Sequence, residues 1–208
     1  MPACSSSATP RRARLVALLA ALLILAGSGA TLVATDGATD AAGPVTLSND
    51  GRYAFPVAAD PETLVWTRPH WDGGNAVDID PARHLTPDDD AFRAFQESEI
   101  LAPIAGLAFP ADNQRGGIAV IIQGDDGYQY YLAHLAERYV MRPGRVSTGQ
   151  PVGRLGATGR WSRFLDPHLH MSIASRHYSG LEYVDDVSAA EWLLQHFGLR
   201  WNNPDTPD

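Results

Sequence analysis

The sequence predicts a mostly β domain built from antiparallel strands, with two short helices. Three observations carry this. GIAVIIQG (residues 117–124) is followed by Asp-Asp-Gly and then by YQYYLAHL (128–135), two strand-like runs around the Asp-Gly pair that favours a tight hairpin. RPGRVSTGQPVGRLGATGR (142–160) is dense in glycine and other turn formers, as short strands joined by tight turns require. PHLHMSIA (167–174) reads as a further strand.

Taken in chain order, the N-terminus comes first. RRAR (11–14) precedes a charge-free run from Leu15 to Thr35. Its densest apolar part, 15–26, suits the core of a signal peptide, with small residues at 28–30 for cleavage. The whole run also reaches the ~20 residues that a membrane helix needs. Arginine before such a segment favours cytoplasmic retention of that end. Residues 1–35 are therefore expected to be an N-terminal hydrophobic helix, either a signal peptide or a membrane anchor. An uncleaved or slowly cleaved anchor is slightly favoured. Both readings make the rest of the chain extracytoplasmic, membrane-anchored or secreted. Residues 36–50, rich in Ala, Thr, Gly and Asp, read as a flexible linker. The folded domain is expected over 51–200, with its core starting near Tyr53, and the tail 201–208 is expected to be disordered.

Two helices stand apart from the strands. TPDDDAFRAFQESE (86–99) offers Thr86 as an N-cap and Pro87 as the first helical residue, with acids in the first turn and Phe92 and Phe95 on one face. SAAEWLLQHFG (188–198) begins with a Ser188–Glu191 capping box and ends at Gly198.

Composition narrows the function. The net charge of -8 argues against a nucleic-acid partner. The single cysteine, Cys4, excludes an intrachain disulfide and a thiolate metal cage. Metal chemistry would therefore fall to the seven histidines and the carboxylates. His168 and His170 lie two apart on a strand, so they share a face while Leu169 points to the other side. Two imidazoles side by side on an apolar strand are costly unless a metal or a reaction uses them. His134 lies on the strand YYLAHL among apolar neighbours. His70 precedes Asp78, a carboxylate set in the apolar patch 76–79 that calls for a partner. A His, Asp, His set with one open position suits a hydrolytic zinc.

These pieces, in order, resemble the lysostaphin-type (LytM-like) zinc metallopeptidases, the peptidoglycan endopeptidases. The matching segments are RPHWDGGNAVDI, ILAPIAGLA, GIAVIIQGDDGYQYYLAHL, GRVSTGQPVGRLGATG, DPHLHMSI and YVDDVSAAEWL, spanning about Trp66 to Leu193. The resemblance implies a compact antiparallel β-sheet or sandwich with an open groove. It implies one Zn2+ per domain, with His70, Asp78 and His170 as metal ligands. It implies His134 and His168 as the catalytic, non-ligand histidines, one helping to activate water and the other stabilising the oxyanion or protonating the leaving amine. The expected activity is hydrolysis of peptide bonds in bacterial peptidoglycan through a metal-activated water. The alternative is a non-catalytic extracytoplasmic regulator or activator of cell-wall hydrolases on the same fold.

The chain departs from that family in three places. Seven residues separate His70 from Asp78, where three are common, and Asp72 competes as the ligand. Asp78 is favoured because AVDI resembles the family's strand-entering Asp. Residues 81–99 form an inserted helical segment, a solvated acidic decoration or a surface for a cell-wall or division partner. RWSRFL (160–165) lengthens the loop before PHLH, and Asp166 replaces the usual Gly there. Asp166 is expected to cap a turn or, second, to orient an imidazole. His84, His177 and His196 have no matching role and are expected to be structural or on the surface. Trp66 and Trp161 are candidates to line the groove. The partners expected are peptidoglycan peptides, with the membrane engaged only through the N-terminal segment.

Overall fold

The computed structural model describes residues 43–61, 65–70, 74–179 and 183–199. The expected leader, residues 36–42 of the expected linker, Asp72 and the tail lie outside the described residues, as does the Trp66 side chain. Residues 43–50 of that linker are tied to the domain instead: Leu47 bridges Ala54, and the Phe55 amide donates to the Thr46 carbonyl (2.8 Å). No helix among the described residues is long and apolar enough to cross a membrane.

In chain order the elements are β1 (Val65–Pro69), β2 (Val77–Pro81), α1 (Asp90–Gln96), β3 (Glu99–Leu101), β4 (Gly106–Pro110), β5 (Ile118–Gly124), β6 (Gln129–Leu135), β7 (Glu137–Arg138), β8 (Gly144–Val146), β9 (Pro151–Arg154), a 3-10 turn (Ser162–Phe164), β10 (Leu169–Ala174) and α2 (Ala189–Phe197). Seven strands form an antiparallel sheet in the order β1-β2-β10-β6-β5-β4-β8, and β3-β9-β7 form a second, smaller sheet. The expected mostly antiparallel β fold with two helices is the fold observed.

The Asp-Gly turn makes the central β5–β6 hairpin. Asp126 accepts from the Tyr128 amide (3.0 Å) and from the Tyr130 hydroxyl (2.6 Å). Gly127 takes a φ of 92°, which a residue without Cβ adopts at little cost.

Strand alternation splits the large sheet into two faces. Val77, Ile79, Leu169, Met171, Ile173, Leu132, Tyr130, Val120 and Ile122 point into the main core, where they meet Phe55, Phe95, Ile100, Leu155, Trp192 and Leu193. Asp78, His170, Tyr131, Ala133, Ala119 and Ile121 alternate with them and lie on the opposite face. α2 closes the core side. Ser188 accepts from the Glu191 amide (3.2 Å), and Gly198 ends the helix at a φ of 70°.

The inserted segment differs from expectation at its start. Thr86 does not cap α1, and Pro87 is not its first residue. The Thr86 amide and hydroxyl both donate to the Asp89 carboxylate (2.7 and 2.9 Å), and the Asp89 amide donates to the Thr86 carbonyl (2.9 Å). Residues 86–89 thus close a turn of their own, a local bond pattern that competes with helix. The helix begins one turn later, at Asp90. Its Phe92 and Phe95 are both buried, and Phe95 joins the main core. The segment is therefore packed structure and not a solvated decoration.

Candidate metal centre

Three elements bring His70, Asp78 and His170 together. Asp78 of β2 and His170 of β10 are direct cross-strand partners, and His170 faces Ala133 of β6 on its other side. His70 follows β1, and its amide donates to the Ala76 carbonyl (2.9 Å), so it sits on the opposite arm of the β1–β2 hairpin. The register partner of Asp78 is Arg68, two residues before His70. That makes His70 and Asp78 a diagonal pair, a spacing that long side chains bridge. The residues between them join two arms that are already paired, so their number does not separate His70 from Asp78. Asn75, just before β2, donates to the Asp185 carbonyl (2.7 Å) and carboxylate (3.2 Å).

Each of these three residues offers one ligand atom, and the atoms lie within 4.8 Å of one another, the one such group among the described residues. Asp78 and His170 are buried, while His70 is half-buried. His170 Nδ1 stands 3.0 Å from Asp78 Oδ1, and the His70 and His170 rings are 4.8 Å apart. A tetrahedral ion with bonds of about 2.0–2.1 Å holds its ligand atoms about 3.3 Å apart. The Asp78–His170 pair is already close to that spacing, and the His70 ligand atom lies within 4.8 Å of both. Two imidazole nitrogens and one carboxylate oxygen, with no sulfur, form a donor set suited to zinc.

His134 and His168 stand beside this group. The His134 ring is 4.9 Å from that of His168 and 5.6 Å from that of His170. Plain alternation from Tyr130 and Leu132 would turn His134 into the core. The register between β5 and β6 shifts instead, from Val120↔Leu132 to Ile118↔Leu135, which leaves one extra residue on β6. His134 occupies this bulge with a φ of 69°, the one positive φ outside glycine among the described residues. A bulge re-aims a side chain in this way.

Hydrogen bonds fix both rings. His134 Nδ1 lies 2.8 Å from the Thr158 carbonyl oxygen and His168 Nδ1 lies 2.8 Å from the Asp166 carbonyl oxygen. A carbonyl only accepts, so both rings carry a proton at Nδ1, and in the neutral form of either ring Nε2 is the acceptor. Asp166 is exposed, and it acts on His168 through its backbone rather than its carboxylate. Burial lowers the pKa of His134 to about 4, with His168 and His170 adding to the effect. The ring is thus neutral near pH 7.

Thr158 is itself clamped. Its hydroxyl donates to the Leu135 carbonyl (2.6 Å) and accepts from the Ile118 amide (2.9 Å). Gly117 and Gly159 both hold positive φ, and a Cβ on either would strike the backbone of the opposing turn. These glycines let the 113–117 and 158–160 turns pack directly against each other behind His134.

Several neighbours of the site carried no signal in the sequence. Tyr131 accepts from Asn113 Nδ2 (2.6 Å), and its ring lies 6.2 Å from that of His170. Burial raises its pKa. Tyr183 stands 5.3 Å from Tyr131 and 5.8 Å from His170. Ser162 lies 2.9 Å from His134 Nε2. Simple alternation along 129–135 finds Tyr131 only once Asp78 and His170 fix which face is the site. Trp161 is exposed. The remaining histidines are engaged elsewhere or open to solvent: His177 bonds the Gly124 carbonyl (3.0 Å), His196 packs on Tyr53 and Trp192, and His84 is exposed.

Residues 91–182 match the model of peptidase family M23. That segment contains His134, His168 and His170, while His70 and Asp78 precede it. No curated protein matches the chain. Among solved structures, the chain is similar to the antimicrobial peptidase lysostaphin from Staphylococcus simulans, with 19% identity and a TM-score of 0.50 over 72% of this chain and 57% of that one. It is also similar to a zinc containing peptidase from Vibrio cholerae, with 20% identity and a TM-score of 0.42 over 68% of this chain and 46% of that one. A third similarity is to the SpoIIIAH and SpoIIQ complex, at 17% identity and a TM-score of 0.39 over 63% of this chain and 85% of that one. The chain spans about half the length of the first two structures.

Proposed function

We propose, from the match of residues 91–182 to the model of peptidase family M23, that this chain is a zinc-dependent endopeptidase that hydrolyses peptide bonds in bacterial peptidoglycan. One observation supports this above the others. A largely buried His/Asp/His cluster lies on the face of the sheet away from the main core, with two imidazoles beside it whose Nδ1 atoms are fixed by backbone carbonyls.

In this reading His70, Asp78 Oδ1 and His170 Nδ1 hold the ion. Zinc supplies Lewis acidity, polarising a carbonyl and lowering the pKa of water towards ~7. The chain supplies the proton transfers. In its neutral form each of His134 and His168 has an Nε2 lone pair able to take a proton, and at His134 the Ser162 hydroxyl (2.9 Å) must turn away first. Only after taking a proton does either ring gain an Nε2–H to donate to an oxyanion or a leaving amine. The two histidines therefore divide base and acid work in sequence. The Tyr131 hydroxyl, kept protonated by burial, lies on the same face as a further donor.

The charge-free run 15–35 supports a place of action outside the cytoplasmic membrane, anchored or secreted. The alternative, a non-catalytic regulator of cell-wall hydrolases, gains no specific support from the packed 81–99 segment.

Digestion of defined peptidoglycan by the zinc-loaded full chain, with mass analysis of products, tests the proposal. Cleavage of a stem or bridge peptide bond is expected. His170→Ala is expected to lose zinc and at least about a thousandfold in turnover, the scale of removing the metal from the reaction. Full zinc occupancy with every stem and bridge type left intact would favour the regulator.

A further inference from the structure

The loop after Gly159, RWSRFL (160–165), places one polar side chain inward. Ser162 opens the 3-10 turn and is buried, while Trp161, Phe164 and Leu165 around it are exposed. The loop is tied at its start, and its turn closes on itself. The Arg160 amide donates to the Gln114 carbonyl (3.0 Å), and the Leu165 amide donates to the Ser162 carbonyl (2.8 Å). From this position Ser162 Oγ reaches His134 Nε2 at 2.9 Å.

The direction of that bond follows from the other side of the ring. Nδ1 faces the Thr158 carbonyl and must carry the proton. Nε2 therefore accepts, and the Ser162 hydroxyl donates. Thr158, His134 and Ser162 form one chain of hydrogen bonds, which sets both the ring plane and the tautomer. Each end is itself anchored, Thr158 by Leu135 and Ile118, Ser162 by its turn.

We propose that Ser162 is a positioning residue for His134, fixing the ring plane and the Nδ1–H tautomer beside the metal cluster through a bond at Nε2 that parts when that nitrogen takes a proton. Its effect on rate rests on the peptidase reading above; its effect on the ring does not. The 160–165 loop thus adds a support to the site, by bringing a hydroxyl to the side of the ring opposite the Thr158 carbonyl. Ser162 acts through His134, so its loss affects how the ring is held and leaves the metal ligands in place.

The experiment has two arms on the full chain. Imidazole nitrogen NMR, with the His134 signals assigned by their loss in His134→Asn, reads the ring directly. The wild type is expected to show protonated Nδ1 and a hydrogen-bonded Nε2. In Ser162→Ala the Nε2 signal is expected to move towards the value of a free acceptor nitrogen, and Ser162→Thr is expected to restore it. Steady-state kinetics on a defined peptidoglycan peptide with zinc-loaded protein form the second arm. Ser162→Ala is expected to lose about tenfold in kcat, the worth of one hydrogen bond, with KM within about twofold, zinc content unchanged and recovery in Ser162→Thr. An unmoved Nε2 signal, or protonated Nε2 in the wild type, overturns the proposal. So does wild-type kcat in Ser162→Ala. If the wild type cleaves nothing, the peptidase reading falls and the NMR arm alone decides the role of Ser162.

Discussion

The backbone of His134 sits at a φ of 69°, where a residue with a Cβ pays about 1–2 kcal/mol. Such strain persists only where the surroundings enforce it. Here the amide is held by the Gly116 carbonyl, the ring by Thr158 and Ser162, and the strand by its bulge. The burial that comes with this placement holds the pKa near 4, below the ordinary 6.5. Between those two pH values the unfolded chain binds a proton at this position that the folded chain refuses. Folding is then disfavoured as pH falls through the window, and the contribution is absent above 6.5. Asparagine tolerates left-handed backbone and does not titrate, so His134→Asn removes the effect while keeping the bulge. Urea unfolding of the metal-free protein at pH 7, 5 and 4 checks this. The wild type is expected to lose more stability on acidification than His134→Asn, by on the order of 1–3 kcal/mol. Equal losses would contradict the assignment. The placement itself was not legible in the sequence, because a bulge of one residue leaves no mark in an apolar strand. Alternation by itself turns His134 towards the core, and only the resemblance pointed to its role.

The elements were legible where local chemistry and pattern agree. The Asp-Gly hairpin, strand β10 with Leu169 behind the two histidines, and the capped helix α2 all follow from turn chemistry, period-two alternation and capping. The start of α1 was not legible, because Asp89 offers its carboxylate to Thr86 and the competing turn wins. Nor does an insertion announce whether it packs. Its acids suggest a solvated strip, while the two phenylalanines decide otherwise. Phe95 is fully buried in the main core and Phe92 nearly so. Phe95→Ala should therefore cost about 3–5 kcal/mol, as for other large core truncations. Chemical denaturation reads this directly. A loss below about 1 kcal/mol would mark the segment as decoration after all.

At the scale of the whole molecule, the candidate centre joins parts that are remote in sequence. His170 lies on β10 within the sheet, while His70 and Asp78 come from the hairpin that forms its β1 edge. The sequence showed the three residue types but not their meeting, because strand order within a sheet is set by long-range packing and not by local pattern. An ion held here would fasten the edge hairpin to the centre of the sheet. In its absence the His170–Asp78 contact, at 3.0 Å, is the link between the two strands on this face that a metal would strengthen. A ligand that binds only the folded state adds about 4 kcal/mol when its free concentration is a thousand times Kd. For a chain of this size each 1 kcal/mol raises Tm by about 2–4 °C, so zinc is expected to raise Tm by roughly 10 °C. Thermal unfolding with and without chelator measures it. His170→Ala removes one of three ligands and should abolish the zinc-dependent rise. His177→Ala, which removes a histidine bonded to the Gly124 carbonyl at the far end of the β5–β6 hairpin, should keep it. The same rise in both variants would place the stabilising ion elsewhere on the chain. No rise in the wild type at saturating zinc would mean that the cluster does not hold the metal.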